Sequence, residues 1–193
     1  MATITRVYDT YAHARNVVID LEAARIPTSD ISLVANKYVS EKYVNVDEAS
    51  SAGTGAGIGA VVGGGAGLLA GLGLLAIPGL GPVVAAGWLA STALGVAAGA
   101  ATGGLIGALV GTGVSERDAN VYAESVRRGG TMVTVRTADA NLVNVQSIMD
   151  RHSPIDPALR ATEYQRHGWK KFDPAAPPYR PSETEIERIR RDT

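Results

Sequence analysis

Residues 53–71 read GTGAGIGAVVGGGAGLLAG, a stretch that is nearly half glycine and carries no charge. Glycine costs a helix interior about 1 kcal/mol relative to alanine. Yet Gly55, Gly59, Gly63, Gly67 and Gly71 recur at every fourth position, which is a helical spacing. The bias extends past this run. Of 23 glycines, 20 lie between Gly53 and Gly113, and no Lys, Arg, Asp or Glu occurs from Ala49 to Ser115. How this block folds decides the architecture of the chain.

Three readings compete. A dinucleotide loop needs a strand, then G-x-G-x-x-G opening a helix, then an acidic residue about 20 positions on. Here the run follows VDEASSA, the next acidic residue is Glu116, and no G-x-x-x-x-G-K-[ST] occurs. A flexible linker is polar and poor in aliphatics, whereas this block holds Ile58, Val61, Val62, Leu68, Leu69, Leu72, Leu74, Leu75 and Ile77. The third reading is a glycine zipper, in which a stripe of small residues lets two backbones approach closely. A second run supports it, since Gly87, Ser91, Gly95, Gly99, Gly103, Gly107 and Gly111 are again four apart.

Between the runs lies AIPGLGPVV, where Pro78, Gly79, Gly81 and Pro82 form a turn. The expectation is two helices, about Gly55–Ala76 and Val83–Gly113, folded as a hairpin whose glycine stripes are the helix-packing and oligomerisation surface. A helix of about 22 residues spans roughly 33 Å, against a hydrocarbon core of about 30 Å. The uncharged block favours a bilayer. The apolar tip and Trp88 as sole interfacial aromatic favour a soluble assembly. Both readings stay open, and both imply a homo-oligomer, because a lone hairpin would expose too much apolar surface.

The flanks read as an ordinary α/β domain. Thr3–Val7 alternates and is rich in β-branched residues, predicting a strand. Asp9 or Thr10 caps a helix to about Arg25 with Ala14, Val17, Val18, Leu21 and Ala24 on one face, and Ile31–Ala35 is a second strand, parallel to the first. Tyr43–Val46 suggests a short edge strand. After the block, Ser115 caps a helix through Arg128, closed by Gly129-Gly130. Met132–Arg136 is a third firm strand, and Asp139 caps a helix through about Arg151. The order βαβ, insert, αβα predicts an α/β (α+β) fold: a small ferredoxin-like sheet with helices on one face. The expected organisation is a discontinuous domain (1–48 and 115–152), the hairpin (49–114) and a Pro-rich, charged C-terminal arm (153–193). In the arm, Arg160–His167 forms a short helix, Ser182–Arg191 a final one, and Trp169, Phe172 and Tyr179 are the anchors. The arm packs either on its own domain or on a neighbouring subunit.

The function classes narrow by exclusion. A net charge of −1 gives no electrostatic footprint for nucleic acid. The absence of cysteine removes disulfides, thiolate catalysis and cysteine zinc sites. The start MATITRVYDTYAHAR lacks the basic and apolar segments of a signal peptide, so a cytoplasmic α/β domain is expected, membrane-associated through residues 53–113 or fully cytoplasmic. His13, His152 and His167 lie on separate elements without ligand spacing, and no G-x-S-x-G nucleophile context occurs. Arg127-Arg128 and Lys170-Lys171 read as solvated basic pairs. No catalytic residue, metal site, cofactor or small-molecule partner is expected; the partners are further copies of the chain and a lipid bilayer.

The segment VYDTYAHARNVVIDLEAARIPTSDISLVANK resembles the N-terminal unit of the heat-induced general stress protein family, the YflT-like domain. The Gly/Ala block, SERDANVYAESVRRGGTMVTVRT and GWKKFDPAAPPY are similar to bacterial glycine-zipper proteins that carry this domain. The resemblance implies a bacterial, non-enzymatic stress-response protein associated with membranes, and carries over no site residues.

Overall fold

The computed structural model describes residues 1–36, 73–77, 80–89 and 104–176. They form a mixed helix-and-strand, α+β fold. The elements are β1 (Ala2–Tyr8), α1 (Tyr11–Ala23), β2 (Ile31–Asn36), β3 (Gly73–Ile77), β4 (Gly81–Ala86), α2 (Gly104–Gly111), α3 (Glu116–Arg127), β5 (Thr131–Thr137), α4 (Leu142–Asp150) and α5 (Pro157–Arg166). The strands make one sheet in the order β1-β5-β2-β4-β3, with every neighbouring pair antiparallel. Because β5 pairs antiparallel with both β1 and β2, those two strands run parallel to each other with β5 between them.

Side chains alternate across the sheet, and each face has its own core. On one, Ile4, Tyr8, Leu33, Val133 and Val135 pack against Val17, Val18 and Leu21 of α1 and Val145, Ile148 and Met149 of α4. On the other, Val7, Val34, Val83, Ala85 and Met132 pack against Leu105 and Leu109 of α2 and Ala119, Tyr122, Ala123 and Val126 of α3. The expectation of helices on one face is therefore corrected. The strands explain why: β2 is buried at all six positions, so it needs cover on both sides. The second face also carries a row of hydroxyls. Thr5 and Thr134 are cross-strand partners with their oxygens 3.2 Å apart, and Ser32, opposite Thr134 on β2, donates to the Ala86 carbonyl at 2.8 Å.

The caps follow the sequence. Thr10 accepts from the His13 amide at the start of α1, Ser115 from the Asp118 amide at α3, and Asp156 from the Ala158 and Leu159 amides at α5. Asp139 does not cap a helix directly; it begins a 3₁₀ turn, Asp139–Asn141, that leads into α4. Four helices end in the same double hydrogen bond, with the longer link from Ile26 to Leu21, Val114 to Leu109, Gly130 to Ser125 and Trp169 to Tyr164 at 2.8–3.2 Å. The left-handed residue is glycine at Gly113, Gly129 and Gly168, but at α1 it is Arg25, with φ of 62°.

The expected helical hairpin fails where its middle is described. Residues 73–76, read as the end of a first helix, and 83–86, read as the start of a second, are strands β3 and β4. Leu74–Ile77 and Val83–Ala86 are apolar runs of four residues, short enough to suit either state. Pairing decides: Val83–Ala86 completes β2, joining Asn36–Leu33 residue by residue. Of the remaining expected segments, Tyr43–Val46, residues 55–72 and 90–103 of the two glycine-rich helices, and Ser182–Arg191 lie outside the described residues.

Candidate functional site

The sequence placed the functional surface on two glycine stripes. Gly55, Gly59, Gly63, Gly67, Gly71, Ser91, Gly95, Gly99 and Gly103 lie outside the described residues, as do Pro78, Gly79 and Tyr179. Gly87 is described and is not on a helix. It sits at the bend after β4 with φ of +88°, where an added Cβ would lie 2.2 Å from the Ile31 carbonyl oxygen and 2.7 Å from Ser32 Cα. Its lack of a side chain serves sheet closure, which corrects its assignment to the zipper. Gly81 and Pro82 are also corrected: they belong to β4, opposite Ile77 and Ala76, with Leu80 in the turn donating to the Ile77 carbonyl at 3.0 Å. Gly107 and Gly111 are on α2, and no described atom lies within 4 Å of a Cβ built on either. Leu105, Ala108 and Leu109 form the buried side of that helix, while Val110 is exposed.

Trp88, the sole candidate for an interfacial aromatic in the block, is held at the sheet's corner. Its indole N–H donates to the Asp30 carbonyl at 3.3 Å, and the Arg136 guanidinium lies 4.7 Å from its ring. Arg136 in turn donates to the Asp30 carboxylate at 3.1 Å and to the Ser29 carbonyl at 3.0 Å.

A polar cluster fastens the described part of the C-terminal arm. Glu124, on α3, is buried, and its Oε1 accepts from Arg128 Nε at 2.6 Å and Arg127 Nη1 at 3.0 Å. The Arg128 guanidinium lies 4.3 Å from the ring of Tyr164 on α5, whose hydroxyl donates to Ser125 Oγ at 3.1 Å. Trp169 meets the Tyr164 ring edge-on, with centroids 5.7 Å apart. Arg160 reaches back to Asp9 at 2.7 Å. Phe172 is buried in the second core, and its amide donates to Asn120 Oδ1 at 3.2 Å. Trp169 and Phe172 thus anchor the arm to its own domain as far as residue 176. The pair Arg127-Arg128, read as solvated, serves Glu124; their spacing of three and four residues was the available signal.

The histidines are dispersed. His13 and His167 are exposed, and His152 Nε2 lies 2.8 Å from Asp20 Oδ2, tying the end of α4 to α1. Among the described residues no group of three or more His, Asp or Glu is placed to hold a metal ion, and no helix is long and apolar enough to cross a membrane. Burial raises the pKa of Tyr8, Tyr11, Tyr122 and Tyr164, most strongly at Tyr8, whose hydroxyl donates to the Met149 carbonyl at 3.0 Å. Compared with protein-family models, curated proteins and solved structures, the chain matches none.

Proposed function

We propose that this chain is a non-enzymatic bacterial stress-response protein that assembles with copies of itself through its glycine-rich segment, in or on a membrane. The observation that carries the reading is the 67-residue uncharged block, Ala49–Ser115, with its two runs of small residues four apart. Such runs suit close backbone approach, which a low-dielectric solvent or a crowded helix interface rewards. The folded sheet supports this as a scaffold, since the block's own β4 pairs with β2 and its own α2 packs on α3. A ferredoxin-like relationship of the sheet is supported by β1 and β2 lying parallel about one antiparallel strand; the helices on both faces count against it.

A second reading, a soluble shell or filament with the glycine-rich parts buried in its core, is favoured by one observation. The middle of the block is β3–β4, bound into the sheet, and is not a free tip that could reach across a bilayer.

The test is sedimentation of the native protein from lysed cells without detergent, followed by a carbonate wash of the membrane pellet. Retention in the washed membrane supports the first reading; a soluble particle of high mass supports the second. A monomer in the supernatant sinks both. Gly63→Leu and Gly99→Leu each force backbones apart on a stripe, and assembly is expected to weaken at least several-fold in either variant; unchanged assembly would remove the glycine stripes from the account.

A further inference from the structure

The geometry points to reciprocal exchange of the C-terminal arm between two copies of this chain. From Ile155 onward, the arm of one copy fills on the other the seat that it fills on its own domain in the closed form described above. The contact uses neither glycine stripe, and the inference goes beyond them.

The seat is matched to this arm. Ala161 and Tyr164 of α5 meet Val121 of α3 in a small buried cluster, apart from the two cores of the sheet. Around it, the Tyr164 hydroxyl donates to Ser125 Oγ at 3.1 Å, and the Arg128 guanidinium lies 4.3 Å from the Tyr164 ring. Arg160 pairs with Asp9 at 2.7 Å. The Ile155 amide donates to the Val7 carbonyl at 2.8 Å, and the Phe172 amide to Asn120 Oδ1 at 3.2 Å. Each of these contacts joins a residue at or beyond Ile155 to one at or before Arg128. Exchange therefore keeps all of them and changes only the connection. A seat that fits this arm fits the same arm of a second copy, which names the occupant.

The connection is where the closed form is strained. His152 is held to Asp20 of α1 at 2.8 Å, and Ile155 is already buried in the second core. The reversal is thus left to Ser153-Pro154. Ser153 has φ of 54°, in the left-handed region that an L side chain enters at a cost. The proline that follows it favours an extended residue at that place. Arg25 also has a positive φ, but there the Arg25 and Ile26 amides donate to the Glu22 and Leu21 carbonyls at 2.9 and 3.0 Å. No comparable pair of bonds closes α4 among the described residues. An extended Ser153 would release the strain and carry the arm away from its own domain. A short hinge under strain favours exchange over closure, and mutual exchange closes about a two-fold axis after two copies.

The chain has no native cysteine, so single-cysteine variants of the full-length protein report the exchange directly. Asp9→Cys and Arg160→Cys, at the two ends of the ion pair, are co-expressed and treated with a short bismaleimide. Because each chain carries one cysteine, a link between positions 9 and 160 forms only when the arm of one copy lies on the domain of the other. On a denaturing gel the mixed product should exceed the dimer given by either variant alone at least several-fold. Equal yields overturn the proposal. The hinge supplies a second measure. Proline cannot adopt the φ of Ser153, whereas glycine adopts it freely. In the co-expressed pair, Ser153→Pro should raise the mixed product and Ser153→Gly should lower it, each at least several-fold. Ser153→Gly keeps the test decisive should the proline unseat the arm altogether; a yield that glycine leaves unchanged or raises counts against exchange. The cross-link should persist in Gly63→Leu and Gly99→Leu. Its loss there would assign the contact to glycine packing and overturn exchange, whereas failure of the glycine variants to affect assembly leaves the cross-link standing.

Discussion

A methyl group on Gly87 would lie 2.2 Å from the Ile31 carbonyl oxygen, against main chain that is itself fixed in the sheet. The positive φ of +88° adds a second cost, because an L side chain rarely adopts it. Gly87→Ala is therefore expected to lower folding stability by roughly 2–4 kcal/mol, measured as a drop in the urea midpoint. Gly107 and Gly111 provide the contrast. Both lie on α2 with no described atom within 4 Å of a new Cβ. Alanine at either should be neutral or stabilising by up to about 1 kcal/mol if only the helix matters. A loss of assembly with gain of helix stability would locate a close contact between copies at that position. Three residues of one apparent repeat thus separate into different roles by what each Cβ would meet.

At the scale of elements, α3 carries α5 through a buried carboxylate. Glu124 is 2% exposed and holds two guanidinium groups, one of which stacks on Tyr164. Removing its charge takes one carboxylate contact from each of the partly buried Arg127 and Arg128 side chains. Since Arg128 is about one-third exposed, water screens part of that loss. Glu124→Gln should cost roughly 1–3 kcal/mol and loosen the arm, read as faster tryptic cleavage after Arg160, Arg166 and Lys170 and a red-shifted Trp169 emission. Elements with strong local signals were legible in the sequence: Thr10 and Ser115 are caps, Gly129-Gly130 ends α3, and the TITRV and MVTVR strands appear where alternation put them. The β3–β4 pair was not legible, because GLLAI and GPVVAA are too short for periodicity to choose between helix and strand. Only the open side of β2, a contact across more than 40 residues of sequence, settles them. The stacking of helices on both faces was missed for a related reason: continuous burial of β2 reads as apolar sequence without saying how many layers supply it.

The molecule as a whole should weaken in alkali. Tyr8, Tyr11, Tyr122 and Tyr164 have pKa values raised by burial above their ordinary 10.0. Below about pH 10 both folded and unfolded chains keep these protons. Above it the unfolded chain loses them while the folded one does not, so the unfolded state binds fewer protons and stability falls as pH rises toward the folded values. Denaturation midpoints should be level at neutral pH and drop above about pH 10, and the four phenols should ionise late or together with unfolding in a tyrosinate absorbance titration. Normal ionisation in the folded state would contradict their burial. The sheet order has a further consequence, in the time domain. The strand that joins β1 to β2 is β5, Thr131–Thr137, which follows the uncharged block in the chain. On a translating ribosome, the block emerges while the sheet that anchors it still lacks the strand that joins β1 to β2. At about 5–20 residues per second, that interval is on the order of ten seconds. During it the block is presented to the cell by an unfinished domain, open to chaperones, to a membrane surface or to nascent chains on neighbouring ribosomes. The destination of the glycine-rich segment is thus open to selection before folding ends.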